Sequence, residues 1–121
     1  MILVDTSVWI HHFREIDNDL VEHLNTGSIA SHPFIVGELA CGNLSNRAEI
    51  LILLQALPLT PILEPDEILY FIEENSLMGR GLGYVDIYLL ASAILGNVVL
   101  WTTDRRLREV ATEFGHSYLN G

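Results

Sequence analysis

Ile2-Leu3-Val4-Asp5-Thr6-Ser7-Val8-Trp9 decides how the rest of the chain is read. Three apolar, partly β-branched residues in a row make a short strand buried on both faces, as in parallel sheets. The run stops at an acid and two hydroxyl residues, all good helix caps, and Val8, Trp9 and Phe13 continue as one helical face. A strand that passes directly into a helix is the start of a β-α-β unit. The pattern recurs near the other end, where Val98-Val99-Leu100-Trp101 reads as a central strand. There Asp104 is the cap, Leu107, Val110, Ala111 and Phe114 fall at i, i+3, i+4 and i+7, and Gly115 is the stop.

Between these two units the same signals alternate. Leu20, Val21 and Leu24 share a helical side, with Asp19 and Glu22 spaced as a capping box and Gly27 as the stop. Residues 28–31 read as a brief strand, and 33–41 as a helix opened by Pro33 and closed by Gly42. Asn46 and Glu49 are spaced as a capping box before a helix over 50–57, which the Pro58 and Pro61 pair ends. Pro65-Asp66-Glu67 starts another helix, with Ile68, Leu69 and Ile72 inward and an end near Gly79. Residues 80–83 form a loop, and Gly79, Gly81 and Gly83 read as a connector rather than a nucleotide fingerprint. Residues 84–95 are apolar at ten of twelve positions, so as a helix they have no solvent face. A final strand is expected over 117–119. Strands separated by helices imply an α/β fold, a mostly parallel central sheet with helices on both faces, in one domain over 1–121.

Composition narrows the function. The 121 residues carry 16 Asp and Glu against 6 basic residues, a net charge of −10, and half are hydrophobic. A chain of this length buries roughly two-thirds of its unfolded surface, and such an apolar content excludes an acidic disordered tail. All six basic residues are arginine, so P-loop and Schiff-base chemistry are excluded for want of a lysine. The acidic balance argues against a broad basic face for nucleic acid, so any such contact is local or metal-assisted. One cysteine, Cys41, leaves no internal disulfide, and the first residues lack a signal-peptide pattern, so a cytoplasmic protein is expected. No apolar run approaches the roughly 20 residues of a membrane span. The five histidines have no zinc-like spacing with Cys41.

Four acids stand in apolar surroundings: Asp5, Glu38, Asp86 and Asp104. Asp5 and Asp104 each follow a buried strand, at the carboxyl edge of the sheet where ligands collect. Glu38 and Asp86 lie near the beginnings of apolar helical segments, where an isolated carboxylate must be capped, protonated or bound to a cation. Each acid alone has a structural explanation as a cap or a first-turn anion. A divalent cation in the crevice at the sheet edge explains all four together.

These segments resemble the PIN-domain ribonucleases, and within them the VapC-type toxins of prokaryotic toxin–antitoxin pairs. Residues 2–9 are similar to the family's opening acid with a hydroxyl two residues later. Val36-Gly37-Glu38-Leu39-Ala40-Cys41-Gly42 resembles its E-L-x-x-G helix, residues 83–93 its third-acid helix, and residues 100–107 its T-x-D-x-x-[FL] turn. The resemblance runs nearly end to end and implies a PIN-like three-layer fold. It implies that Asp5, Glu38, Asp86 and Asp104 form an acidic Mg²⁺ or Mn²⁺ site for endoribonuclease chemistry. It also implies a cognate antitoxin and a homodimer. Some members carry a further acid after the fourth, where this chain has Arg105, Arg106 and Arg108.

Within that reading Asp5, Asp86 and Asp104 hold the ion, while Glu38 ligates through water or orients the attacking water. The Ser7 and Thr102 hydroxyls support the acids, or act as plain caps. Arg80, Arg105 and Arg106 are placed to grip RNA phosphates. Two rival readings stand beside it. One is an aspartate-based phosphatase with Asp5 as nucleophile, disfavoured by the missing lysine and D-x-D pair. The other is a catalytically silent PIN-like interaction module, disfavoured by the presence of all four acids.

Overall fold

The computed structural model describes residues 1–119. Strand β1 (Ile2–Val4) passes into α1 (Thr6–Arg14), followed by α2 (Asn18–Asn25), β2 (Ile29–Ala30) and α3 (Pro33–Ala40). Then come α4 (Arg47–Ala56), α5 (Pro65–Glu74), α6 (Tyr84–Leu95), β3 (Val99–Trp101) and α7 (Arg105–Glu113). The sheet has the order β2-β1-β3 and every pair is parallel. In β1, Ile2 pairs with both Ile29 and Val99, and Val4 with Trp101. Alternate side chains of a strand point to opposite faces, yet Ile2, Leu3 and Val4 are all buried. Both faces of the central strand are therefore covered, the three-layer arrangement expected.

The elements form where the sequence signals put them, with differences of local chemistry. Helix α2 is capped by Asp17, whose carboxylate accepts from the N–H groups of Asp19 and Leu20, and not by the expected Asp19. Asn46 precedes α4 in a left-handed conformation (φ 57°) and makes no side-chain cap, so the Asn46–Glu49 box does not form. Helix α5 stops at Glu74, short of Gly79, because Ser76 turns left-handed at φ 51°. The expected last strand shrinks to one parallel bridge, Leu100 to Ser117, held by the Leu100 N–H on the His116 carbonyl and the Tyr118 N–H on the Leu100 carbonyl.

Helix α6 is the core helix. Its residues 87–93 are all buried, and only the ends emerge, at Tyr84 and Leu95. Helix α3 is tied to it by a buried polar link. His32 precedes α3, and its Nδ1 accepts from the Phe34 N–H at 3.0 Å. Its Nε2 therefore carries the proton and donates to Ser92 of α6 at 3.2 Å. Burial holds the His32 imidazole down to about 4.

Candidate active site at the sheet edge

Strands β1 and β3 are neighbours in register, so their carboxyl ends release Asp5 and Thr102 side by side. The Asp5 N–H donates to the Trp101 carbonyl at 2.9 Å, which extends the ladder one step and fixes where the carboxylate starts. Asp5 caps α1 through Oδ1, which accepts from the Thr6 N–H at 2.8 Å. Its Oδ2 accepts from the Ser7 hydroxyl at 2.9 Å and from the Thr102 hydroxyl at 2.8 Å. Both hydroxyls are used twice. Ser7 Oγ accepts from the Thr103 N–H at 3.2 Å, and Thr102 Oγ1 from the Asp104 N–H at 3.1 Å. Ser7 and Thr102 thus stitch the β1–α1 junction to the β3–α7 junction through one carboxylate.

The other acids arrive from three helices. Asp104 caps α7, with Oδ1 accepting from the Leu107 N–H at 3.0 Å. Asp86 sits in the first turn of α6, where its Oδ2 accepts from the Gly83 N–H at 3.2 Å. Glu38 lies in the last turn of α3 and not near its beginning as expected, because the helix already starts at Pro33, and its Oε1 accepts from the Thr6 hydroxyl at 3.1 Å. Thr6 escapes the sequence reading, although a hydroxyl directly after the first acid is a signal for it. Glu38 is also more exposed than its apolar helix suggests, because the Gly37–Glu38 side of α3 faces solvent.

Electrostatics joins the four into one set. Partial burial pushes the Asp86 carboxyl up; the Gly83 hydrogen bond opposes this, and the charges of Asp5 and Asp104 add to it. Glu38 is also pushed up, by partial shielding of its carboxyl from water and by the charges of Asp5 and Asp86, against the Thr6 hydrogen bond. The acids are close enough to repel one another. Among the described residues, however, no three His, Cys, Asp or Glu side chains converge into a ready-made ligand cluster. The donors present are hard oxygens, and Mg²⁺ keeps several waters while using one or two carboxylates, so this donor set fits Mg²⁺ or Mn²⁺.

The arginines divide. Arg80 reaches away along α7 to Glu113, with a hydrogen bond of 3.0 Å between Nη1 and Oε1, and Arg105 pairs with Glu109 one turn on. Among the described residues Arg106 and Arg108 have no such ion pair. Arg106 lies against Gly81, in the loop before Asp86. The Arg47 guanidinium is spent on the Ala40 carbonyl, closing the end of α3.

Comparison with known proteins bears on the fold and the family. Residues 2–113 match the PIN domain family. The chain is 46% identical over 116 residues to Ribonuclease VapC32 of Mycobacterium tuberculosis, in two strains, covering 95% of this chain and 94% of the relative. A solved structure, PAE2754 from Pyrobaculum aerophilum, is similar in fold, with a TM-score of 0.59 and 20% identity over 89% of this chain and 77% of that one. The acids at the sheet edge thus sit on a framework shared along nearly the full length of a relative, and the chain belongs to the PIN-domain family, as a member of the VapC type.

Proposed function

We infer that the protein is a metal-dependent endoribonuclease and the toxin of a type II toxin–antitoxin pair, one PIN domain over residues 1–121 acting in the cytoplasm. The observation that carries this reading is the convergence of carboxylates from the β1–α1 junction, α3, α6 and the β3–α7 junction on one sheet edge, where the charges of Asp5 and Asp104 add to the burial that pushes Asp86 up. A bound cation would offset the charge gathered there, which capping of the separate helices leaves in place. The 46% identity to a protein named a ribonuclease points the same way.

In this reading Asp5, Asp86 and Asp104 hold Mg²⁺ or Mn²⁺. When bound, such an ion lowers the pKa of a water and stabilises charge on the phosphate and the leaving 3′ oxygen. Ser7 and Thr102 fix the Asp5 carboxylate so that it cannot turn away from the site. Glu38, free apart from the Thr6 hydroxyl, orients the attacking water, and its raised pKa suits it to accept that water's proton. Arg106 takes a phosphate oxygen directly. Arg80 and Arg105 do so by exchanging surface carboxylates for RNA, a cheap exchange because water and salt screen exposed pairs. The antitoxin covers this site, and the toxin pairs with a second copy of itself. Asp5 has hydrogen bonds on both oxygens, a carboxylate held in place rather than offered as a phosphatase nucleophile.

The test is incubation of end-labelled total RNA with the protein plus Mg²⁺ or Mn²⁺, with EDTA, and with Asp86→Asn in parallel. Cleavage by the wild type with metal, lost in both other lanes, supports the reading. Hydrolysis of p-nitrophenyl phosphate instead of RNA supports the phosphatase, and neither activity supports the silent module.

A further inference from the structure

Gly79, Gly81 and Gly83 precede α6 at alternate positions, and the structure sets the middle one apart. Gly79 and Gly81 both have left-handed backbone, with φ of 75° and 79°. A side chain at 79 would meet nothing within 4 Å. At 81 a Cβ would fall 2.9 Å from Cδ and 3.0 Å from Cζ of Arg106, and closer still to its Nη1. Arg106 therefore occupies the space that any other residue at 81 would fill.

That placement joins two parts of the site. Arg106 lies in the first turn of α7, two residues after Asp104, and Gly81 lies two residues before Gly83, whose N–H holds Asp86. The arginine side chain spans from one acid's helix to the loop that sets another. Among the described residues no carboxylate stands within 4.0 Å of its guanidinium, unlike Arg80 and Arg105. A cation with no carboxylate partner keeps its charge for an incoming anion, and its place over Gly81 aims it from α7 towards the Asp86 loop.

The geometry points to Gly81 as a positioning residue: its missing side chain seats the Arg106 guanidinium at the rim of the acid site, preset for a non-bridging phosphate oxygen of the RNA strand. This inference rests on the ribonuclease reading above.

The test is steady-state cleavage of a labelled single-stranded RNA oligonucleotide in Mn²⁺ by the wild type, Gly79→Ala, Gly81→Ala, Arg106→Ala and the double variant Gly81→Ala/Arg106→Ala. Gly79→Ala carries the same left-handed strain without the arginine contact. Gly81→Ala and Arg106→Ala should each raise KM about tenfold with kcat within about twofold, and each should reduce the salt slope by about 0.7. Gly79→Ala should stay within about twofold of wild-type KM, and the double variant should equal Arg106→Ala. Gly81→Ala behaving like Gly79→Ala, or adding its full effect to Arg106→Ala, overturns the seat. If Gly81→Ala does not fold, Arg106→Lys decides, because it keeps the charge without the planar head: KM should rise at least about threefold, and an unchanged KM overturns the proposal. Absence of cleavage by the wild type would remove the ribonuclease reading and the seat with it, whereas cleavage with matching Gly79→Ala and Gly81→Ala removes the seat alone.

Discussion

Thr102 shows how much one side chain does at this site. It is buried, donates to Asp5 and accepts from the Asp104 N–H. Thr102→Val keeps the shape and removes both bonds, leaving a buried N–H and a carboxylate lone pair unmatched, so we expect a loss of about 1–3 kcal/mol in denaturant melts. Thr102→Ser keeps the hydroxyl and should recover most of that loss, together with the metal-dependent activity. Asp86 behaves in the opposite way. Burial and the neighbouring acids raise its folded carboxyl above the ordinary range, so its folded form holds a proton where the unfolded chain has released one. The stability it contributes is present below the ordinary carboxylate range and is lost as pH rises through the raised folded value. In EDTA at pH 7 Asp86→Asn should therefore melt a few degrees above the wild type, the gap closing towards pH 4, while RNA cleavage is abolished. A variant that melts lower at pH 7 would show that the repulsion is not felt.

At the scale of elements, α3 and α6 each bring one acid, and His32 joins them by capping the first and donating to Ser92 of the second. Its imidazole is held down to about 4 by burial, so the folded state resists a proton that the unfolded chain accepts near 6.5. Its contribution to stability is complete above pH 6.5 and is lost as pH falls; by pH 5 the loss from this residue is roughly 2 kcal/mol. His32→Asn can still cap α3, so it should start less stable at pH 7 but fall less steeply between pH 6.5 and 5 in urea melts. Equal slopes would place the acid sensitivity elsewhere. The sequence shows α3 through Pro33 and Gly42, but a histidine cap has no distinctive signature beside the usual Ser, Thr, Asp and Asn. The same limit explains α2, where Asp17 and Asp19 are equally good caps by type and only the tertiary path of the chain selects Asp17. The strand expected at 117–119 shortens because its backbone pairs with β3 at Leu100 alone, whose N–H donates to the His116 carbonyl and whose carbonyl accepts from the Tyr118 N–H. The four acids stand out in the sequence because carboxylates in apolar segments are few, but that Glu38 and Asp104 are exposed leaves no mark there. The partners of Arg80 and Arg105 are not legible either, since exposed pairing leaves no mark on residue spacing.

The whole molecule carries a charge of −10, and this sets its response to ions. A polyanion meeting RNA gains nothing from its overall field, so productive contact depends on a neutralised site edge and a few arginines. No helix among the described residues is long and apolar enough to cross a membrane. A ligand that binds only the folded state stabilises it by about 2.7 kcal/mol at a hundredfold excess over its Kd. Saturating Mn²⁺ should accordingly raise the wild-type melting temperature by several degrees and raise that of Asp86→Asn by no more than about half as much, which calorimetry can check. The central claim is that acids from four different elements act as one cation site. Its most direct test is Mn²⁺ titration followed by electron paramagnetic resonance on the wild type, Asp5→Asn, Glu38→Gln, Asp86→Asn and Asp104→Asn. We predict binding by the wild type that weakens at least about tenfold in each of the three aspartate variants and less in Glu38→Gln. Mn²⁺ affinity unchanged in Asp86→Asn and Asp104→Asn would contradict it.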